Sequence, residues 1–345
     1  MQDFIQNMPK AELHLHVDGS LEPELLWTLS QRNKVPIPYQ SVVEIRQAYQ
    51  FTNLQSFLDL YVVGASVQLY ETDFYDVLYA YLQKAATQNI RHADVHFEPQ
   101  SHTLRGVPFQ AVMEGYRRAQ KDAQQSFGIT SSLILAFHRH LSAQDALDTL
   151  QQALPYQPHI AAIGLDFAEV GNVPSKFKEV FAVARQKGFT QFTCHAGEEG
   201  SPTPYMWEAI RTLQVDRIDH GVQCDMDETL VQYLVESQLP LTVCPLSNVK
   251  LGVFKTLQDH NVKTLYDRGI KITVSSDDPG YFGSHMVDNY MAIHTELGFT
   301  REDLYQITKN AFQVAYNLSQ NQKQAYIQEL DDFMAANAQL GSPTA

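Results

Sequence analysis

Eight short runs rich in β-branched and apolar residues recur along the chain, at 11–17, 91–97, 131–137, 161–167, 189–195, 217–220, 239–244 and 271–275. Helical patterns lie between them, and strands alternating with helices build parallel βαβ units. Eight such units predict an α/β fold of the (β/α)8 TIM-barrel type. The structural rival is an open doubly wound sheet, which carries a glycine-rich phosphate turn after its first strand. No such turn follows the first run here, where the chain reads Val17-Asp18-Gly19-Ser20.

The spacing of the runs is uneven. The long interval 20–90 separates the first two and holds helical patterns at 22–32, 54–69 and 73–88. Insertions on barrels commonly extend the loops around the active face, so this segment is expected to roof a pocket. Two or three helices are expected over 288–338, followed by a Gly-Ser-Pro-rich terminus. With no internal repeat and no linker, 1–345 reads as a single barrel domain.

Charge and cysteine usage limit the partners. Lys plus Arg total 25 against 39 Asp plus Glu, a net charge of −14, which repels nucleic-acid phosphates and anionic membranes. Nucleic acid and membrane are therefore not expected partners, and a small neutral molecule is. Three cysteines without a CxxC spacing suit reduced thiols and a cytoplasmic location. The first ten residues are polar and no apolar stretch reaches 18 residues, so neither a secretory signal nor a spanning helix is expected. A homo-oligomer is left open.

The strongest chemical signal is the first run, Glu12-Leu13-His14-Leu15-His16-Val17-Asp18. Strand residues two apart share a face, so both imidazoles look into one space at the strand's C-terminal end, where barrel active sites lie. Two inward imidazoles cost desolvation unless something uses their nitrogens, and a divalent metal does so. Further candidates end later runs: His195 in Cys194-His195-Ala196-Gly197-Glu198-Glu199, and Asp277 in Ser275-Ser276-Asp277-Asp278-Pro279. First and eighth strands are neighbours in a closed barrel. His14, His16, His195 and Asp277 could thus converge on one ion and leave a position open for water, as a catalytic zinc requires. Glu198, just past its strand, suits a general acid. His220, in Arg217-Ile218-Asp219-His220-Gly221, could bond the reacting water or be a structural histidine. His138-Arg139-His140 repeats the two-residue spacing but lacks acidic or histidine neighbours and reads as a decoy. The fourth run, Ile163-Gly164-Leu165-Asp166-Phe167-Ala168-Glu169, has no lysine that could bridge two metals. One metal is expected.

Taken together these motifs resemble the adenosine/adenine deaminase family of metal-dependent amidohydrolase-type barrels. The resemblance runs from Met8-Pro9-Lys10 to about Tyr290 and includes, in order, the first-strand motif, His195-Ala196-Gly197-Glu198, Asp219-His220-Gly221, Val243-Cys244-Pro245-Leu246-Ser247-Asn248 and Ser276-Asp277-Asp278-Pro279. It implies zinc, one per chain, on His14, His16, His195 and Asp277. It also implies Glu198 as proton donor, His220 as the residue that orients or activates water, and Asp278 as a substrate contact. Val17-Asp18-Gly19-Ser20, Phe97-Glu98-Pro99-Gln100-Ser101-His102-Thr103 and Leu246-Ser247-Asn248 are similar to the adenine deaminase branch, implying a free purine base as substrate. In the family, nucleoside deaminases typically have glycine at the Glu169 position, and a carboxylate there would suit the N9–H of a free base. Asp18, by its motif position, is expected beside the purine. Departures at Asp18, His96, Phe167 and Ala168 leave N6-substituted adenines, and adenosine, as alternative substrates.

Overall fold

The computed structural model describes residues 1–51, 54–199 and 202–339. Eight parallel strands run in chain order: β1 (Lys10–His16), β2 (Ile90–Phe97), β3 (Thr130–His138), β4 (Ile160–Asp166), β5 (Thr193–Ala196), β6 (Arg217–His220), β7 (Leu241–Val243) and β8 (Ile272–Val274). They form two four-stranded arcs, β1-β2-β3-β4 and β5-β6-β7-β8. Single parallel bridges, Ile163 to Phe192 and Leu15 to Asp277, join the arcs at both seams and close the ring. The expected TIM barrel is the observed architecture. Every residue of β1 is buried, because helices cover the outside of a parallel barrel and side chains fill its inside.

The second seam also builds the site. Asp277 N–H donates to the His14 carbonyl at 3.1 Å, and His16 N–H donates to the Asp277 carbonyl at 3.0 Å. Barrel closure therefore fixes the backbone of three candidate residues relative to one another. Three strand-end residues, Phe167, His220 and Asp277, sit at φ 69°, 65° and 68°, a left-handed conformation costing about 1–2 kcal/mol for a residue with a Cβ. At these positions the chain turns out of the barrel, and the turn aims the side chains into the mouth.

Between β1 and β2 lie four helices, Pro23–Asn33, Val42–Ala48, Leu54–Ser66 and Glu71–Thr87. Three match the expected helical patterns. Val42–Ala48 does not, because it buries only Ile45 and owes its start to the Ser41 cap on Glu44 N–H, which leaves no apolar stripe to read. Helix Glu71–Thr87 lies against helix Phe109–Phe127 at Gly115, where a Cβ would stand 2.4 Å from the Glu71 carbonyl. Beyond β8 the chain forms a short turn of helix at Pro279–Phe282, then helices Met286–Leu297, Arg301–Val314 and Gln320–Gln339. The Gly-Ser-Pro-rich terminus and Gly200 lie outside the described residues. Among the described residues no helix is long and apolar enough to cross a membrane.

Candidate active site

At the C-terminal mouth of the barrel, β1, β5 and the turn after β8 bring His14, His16, His195 and Asp277 together. His195 Nε2 lies 3.0 Å from His14 Nε2 and 3.1 Å from His16 Nε2. Asp277 Oδ1 lies 3.3 Å from His14 Nε2 and 3.4 Å from His16 Nε2.

The opposite ring nitrogens decide what these atoms present. His14 Nδ1 faces the Thr242 carbonyl at 3.1 Å, which can only accept, so Nδ1 carries the proton and Nε2 its lone pair. His16 Nδ1 donates to Glu98 Oε1 at 2.7 Å, and His195 Nδ1 faces Asp219 Oδ2 at 3.5 Å. Three imidazole Nε2 atoms and a carboxylate oxygen thus point at one another, and in the tautomers with the proton on Nδ1 each Nε2 offers a lone pair. Four converging acceptors repel unless a cation stands among them. Bonds of about 2.0–2.1 Å to a tetrahedral zinc correspond to ligand–ligand edges of roughly 3.3 Å, and the observed separations are of that size. The donor set fits a divalent metal, with a carbonyl or carboxylate behind each histidine to fix its orientation.

The remaining candidates surround this point. His220 Nε2 lies 3.3 Å from Glu198 Oε2 and 3.9 Å from Asp277 Oδ2. Burial, reinforced by neighbouring His14, pulls the His220 imidazole down to about 3, so it is neutral at pH 7. Burial, then the charges of Asp277 and Glu199, push the Glu198 carboxyl well above the usual range. A carboxyl shifted in that direction suits a general acid. Asp278 is pushed up in the same way by burial and by Asp277. Its position depends on Gly19, where a Cβ would stand 1.9 Å from Asp278 Oδ1.

These groups open on a cleft of about 620 Å³ lined by His16, His195, Glu198, His220, Asp277 and Asp278 on its polar side. Phe57, Leu58 and Tyr61 from helix Leu54–Ser66, with Phe167, Ala168 and Leu251, form its apolar wall. Of the long segment after β1, the helix Leu54–Ser66 contributes to this wall.

Two expected substrate contacts lie elsewhere. Asp18 is buried off the pocket wall, with Oδ1 accepting from Gln68 Nε2 at 2.9 Å and Oδ2 facing His102 Nε2 at 2.8 Å. Glu169 accepts from the backbone N–H of Gly197 at 3.2 Å and of Glu198 at 3.0 Å. Both its oxygens hold the loop that carries Glu198, and Glu169 is not among the residues lining the cleft. His138 and His140 join no group of His, Cys, Asp or Glu close enough to share an ion, among the described residues. Arg139 between them is buried and donates to the His195 carbonyl at 2.7 Å.

Nothing local in the sequence marks the residues behind the histidines. Glu98, Thr242 and Asp219 come from the end of β2, from β7 and from β6 respectively, and only closure of the ring brings them under β1 and β5. Ser247, whose hydroxyl bonds Asp277 Oδ2 at 2.5 Å, and Asn248 lie in a motif to which the resemblance assigns no role.

The adenosine deaminase family model matches residues 9–333. The chain belongs to the adenosine deaminase family. An adenine deaminase from Chlorobium phaeobacteroides is 50% identical over 333 residues, which cover 96% of this chain and 98% of that protein. The crystal structure of an adenine deaminase from Arthrobacter aurescens superposes with a TM-score of 0.92 at 42% identity, covering 95% of this chain and 99% of that one. An amidohydrolase from Burkholderia ambifaria, solved with bound Zn, superposes at 0.89 with 26% identity, covering 98% of this chain and 94% of that one. Across this family the fold and the relatives agree with a hydrolase acting on the C–N bond of a cyclic amidine.

Proposed function

We propose that this chain deaminates adenine, converting adenine and water to hypoxanthine and ammonia, with one zinc ion per chain on His14, His16, His195 and Asp277. The observation that carries the reading is the convergence of three imidazole Nε2 atoms and a carboxylate oxygen beside Glu198, whose carboxyl burial pushes up, in one cleft. Relatives named adenine deaminase, about half identical over nearly the whole length, supply the substrate.

Bound there, zinc supplies Lewis-acid chemistry that brings the pKa of water towards ~7. The chain's own residues do the rest. Glu198, protonated and at the pocket wall, gives its proton to purine N1 and so draws electron density from C6. His220 Nε2 and Asp277 Oδ2 hold the attacking oxygen in line with C6. Asp278, whose carboxyl retains a proton, donates to N7. Asp277 Oδ2 takes the proton the attacking water gives up and passes it to the amine, so that the C6–N bond breaks and ammonia leaves. Asp18 and Glu169 act through other residues, Asp18 by fixing His102 and Gln68, and Glu169 by anchoring the Glu198 loop. Among the described residues the pocket lining holds no lysine or arginine for a phosphate, and on this reading the chain works as one domain in the cytoplasm, without nucleic-acid or membrane partners.

One observation favours a second reading. The wall of Phe57, Leu58, Tyr61, Phe167 and Leu251 offers apolar surface well beyond what a bare amine needs, and would accept an alkyl group on N6. Ultraviolet spectra of adenine, adenosine and isopentenyladenine, each incubated with the zinc-loaded protein, decide among the readings. Faster conversion of adenine supports the first, and of isopentenyladenine the second. Conversion of adenosine alone, or of none, overturns both.

A further inference from the structure

Behind the proposed catalytic pair lies a chain of buried hydrogen bonds whose direction can be read from one end. Val262 N–H donates to His260 Nδ1 at 3.0 Å. A backbone N–H only donates, so His260 Nδ1 is the acceptor and its Nε2 carries the hydrogen. That Nε2 lies 3.2 Å from Asn248 Oδ1, which fixes the amide oxygen towards His260. The Asn248 amino group then faces inward, 3.0 Å from Glu198 Oε1 and 3.3 Å from His220 Nδ1. Asn248 is fully buried and His260 is 4% exposed, and the Phe254 ring lies 4.2 Å from the His260 ring. Burial pulls the His260 imidazole down to about 3, which keeps it neutral and the direction of the chain unchanged.

We infer that His260 and Asn248 are positioning residues that set the tautomer of His220 and the protonated oxygen of Glu198. An amino group pointed at His220 Nδ1 requires a lone pair there, so the hydrogen of the neutral ring sits on Nε2. In that form His220 donates to the attacking oxygen and cannot serve as its base. The same amino group occupies Glu198 Oε1 as an acceptor, so the acid proton resides on Oε2, the oxygen 3.3 Å from His220 Nε2. Oε2 offers its hydrogen to the substrate, while the one N–H of His220 is left for the attacking oxygen. One amide thus orders both partners of the reaction, and a histidine 12 residues further along the chain orders the amide.

This inference rests on the proposed roles of Glu198 and His220, but its primary test does not need turnover. Long-range proton–nitrogen correlation on zinc-loaded protein labelled with ¹⁵N-histidine reads each tautomer, with His220→Gln identifying the His220 signals. The expected result is a protonated Nε2 and a bare Nδ1 on His220; a protonated Nδ1 overturns the inference even if adenine is deaminated. In His260→Leu the preference should weaken, with zinc content unchanged, KM within about threefold and kcat down about 10- to 100-fold, the cost of a small misplacement at a reacting group. His260→Gln, which keeps a distal N–H donor, should recover most of that loss. A His260→Leu enzyme with full kcat, or a glutamine variant no better than leucine, would refute the positioning role. If leucine prevents folding, the wild-type tautomer and the glutamine variant still decide. Absence of deamination with the expected tautomer would count against the proposed function alone.

Discussion

Replacing Asp219 by asparagine removes one charge and almost no volume from directly beneath the proposed metal site. The carboxylate is fully buried. Oδ1 accepts from Thr242 Oγ1 at 2.8 Å and pairs with Arg217 Nε at 3.4 Å. Oδ2 accepts from Thr193 Oγ1 at 2.6 Å and faces His96 Nε2 at 3.2 Å and His195 Nδ1 at 3.5 Å. Three hydrogen bonds and two longer charged contacts therefore converge on two oxygens. An amide has one oxygen, so its amino group must meet donors on one side. Each buried donor left unsatisfied costs about 1–3 kcal/mol. Two such losses give roughly 2–6 kcal/mol, and the salt link of Arg217 to Asp94 at 2.8 Å, which survives, holds the total towards the lower end. Because Thr242 also touches His14 Nδ1, two of the four proposed ligands lose support. Partners behind metal-bound histidines typically matter 10- to 100-fold in affinity. Chelator competition should thus show zinc bound about 10- to 100-fold more weakly, and the urea midpoint should fall. Zinc affinity within about twofold of wild type, with an unchanged midpoint, would refute the reasoning.

Other outcomes follow from the same geometry. Glu198→Gln should keep its zinc and lose about 10²- to 10⁴-fold in kcat, measured by the ultraviolet assay; near-normal turnover would remove Glu198 from proton donation. In Gly19→Ala the new Cβ would stand 1.9 Å from Asp278 Oδ1, so Asp278 must move, at about 1–3 kcal/mol for overpacking. Its kcat/KM should drop with metal content unaltered, and an unchanged kcat/KM would show that Asp278 does not touch the substrate. Cys194, Cys224 and Cys244 are all buried, and burial pushes the Cys194 and Cys224 thiols up to about 12. A thiol reagent at pH 8 should therefore react with none of them until the protein is unfolded, and rapid labelling of the native protein would contradict the burial.

Much of the frame can be read from the sequence, for identifiable reasons. Each barrel strand is a compact apolar run, and the observed strands fall within a few residues of those expected. The alternation of side chains places His14 and His16 on one face without any knowledge of the fold. Adjacency of the first and eighth strands follows from closure alone, and it brings Asp277 to them. What the sequence does not carry is the second ring of contacts. Asp219 belongs to an obvious motif, yet four of the residues around it come from three other strands, β2, β5 and β7. Asp18 and Glu169 flank the right motifs, but their oxygens are taken by Gln68, His102 and backbone amides, which a linear pattern cannot show. The helix Val42–Ala48 is illegible because it buries a single side chain.

The central claim is that four atoms from three distant parts of the chain hold one ion. Crystals of the zinc-loaded protein, with diffraction data collected on both sides of the zinc absorption edge, test it most directly. The expected map has one anomalous peak per chain, about 2.0–2.2 Å from His14 Nε2, His16 Nε2, His195 Nε2 and Asp277 Oδ1. A peak at another cluster, a second peak of equal height, or none at full zinc loading would contradict it.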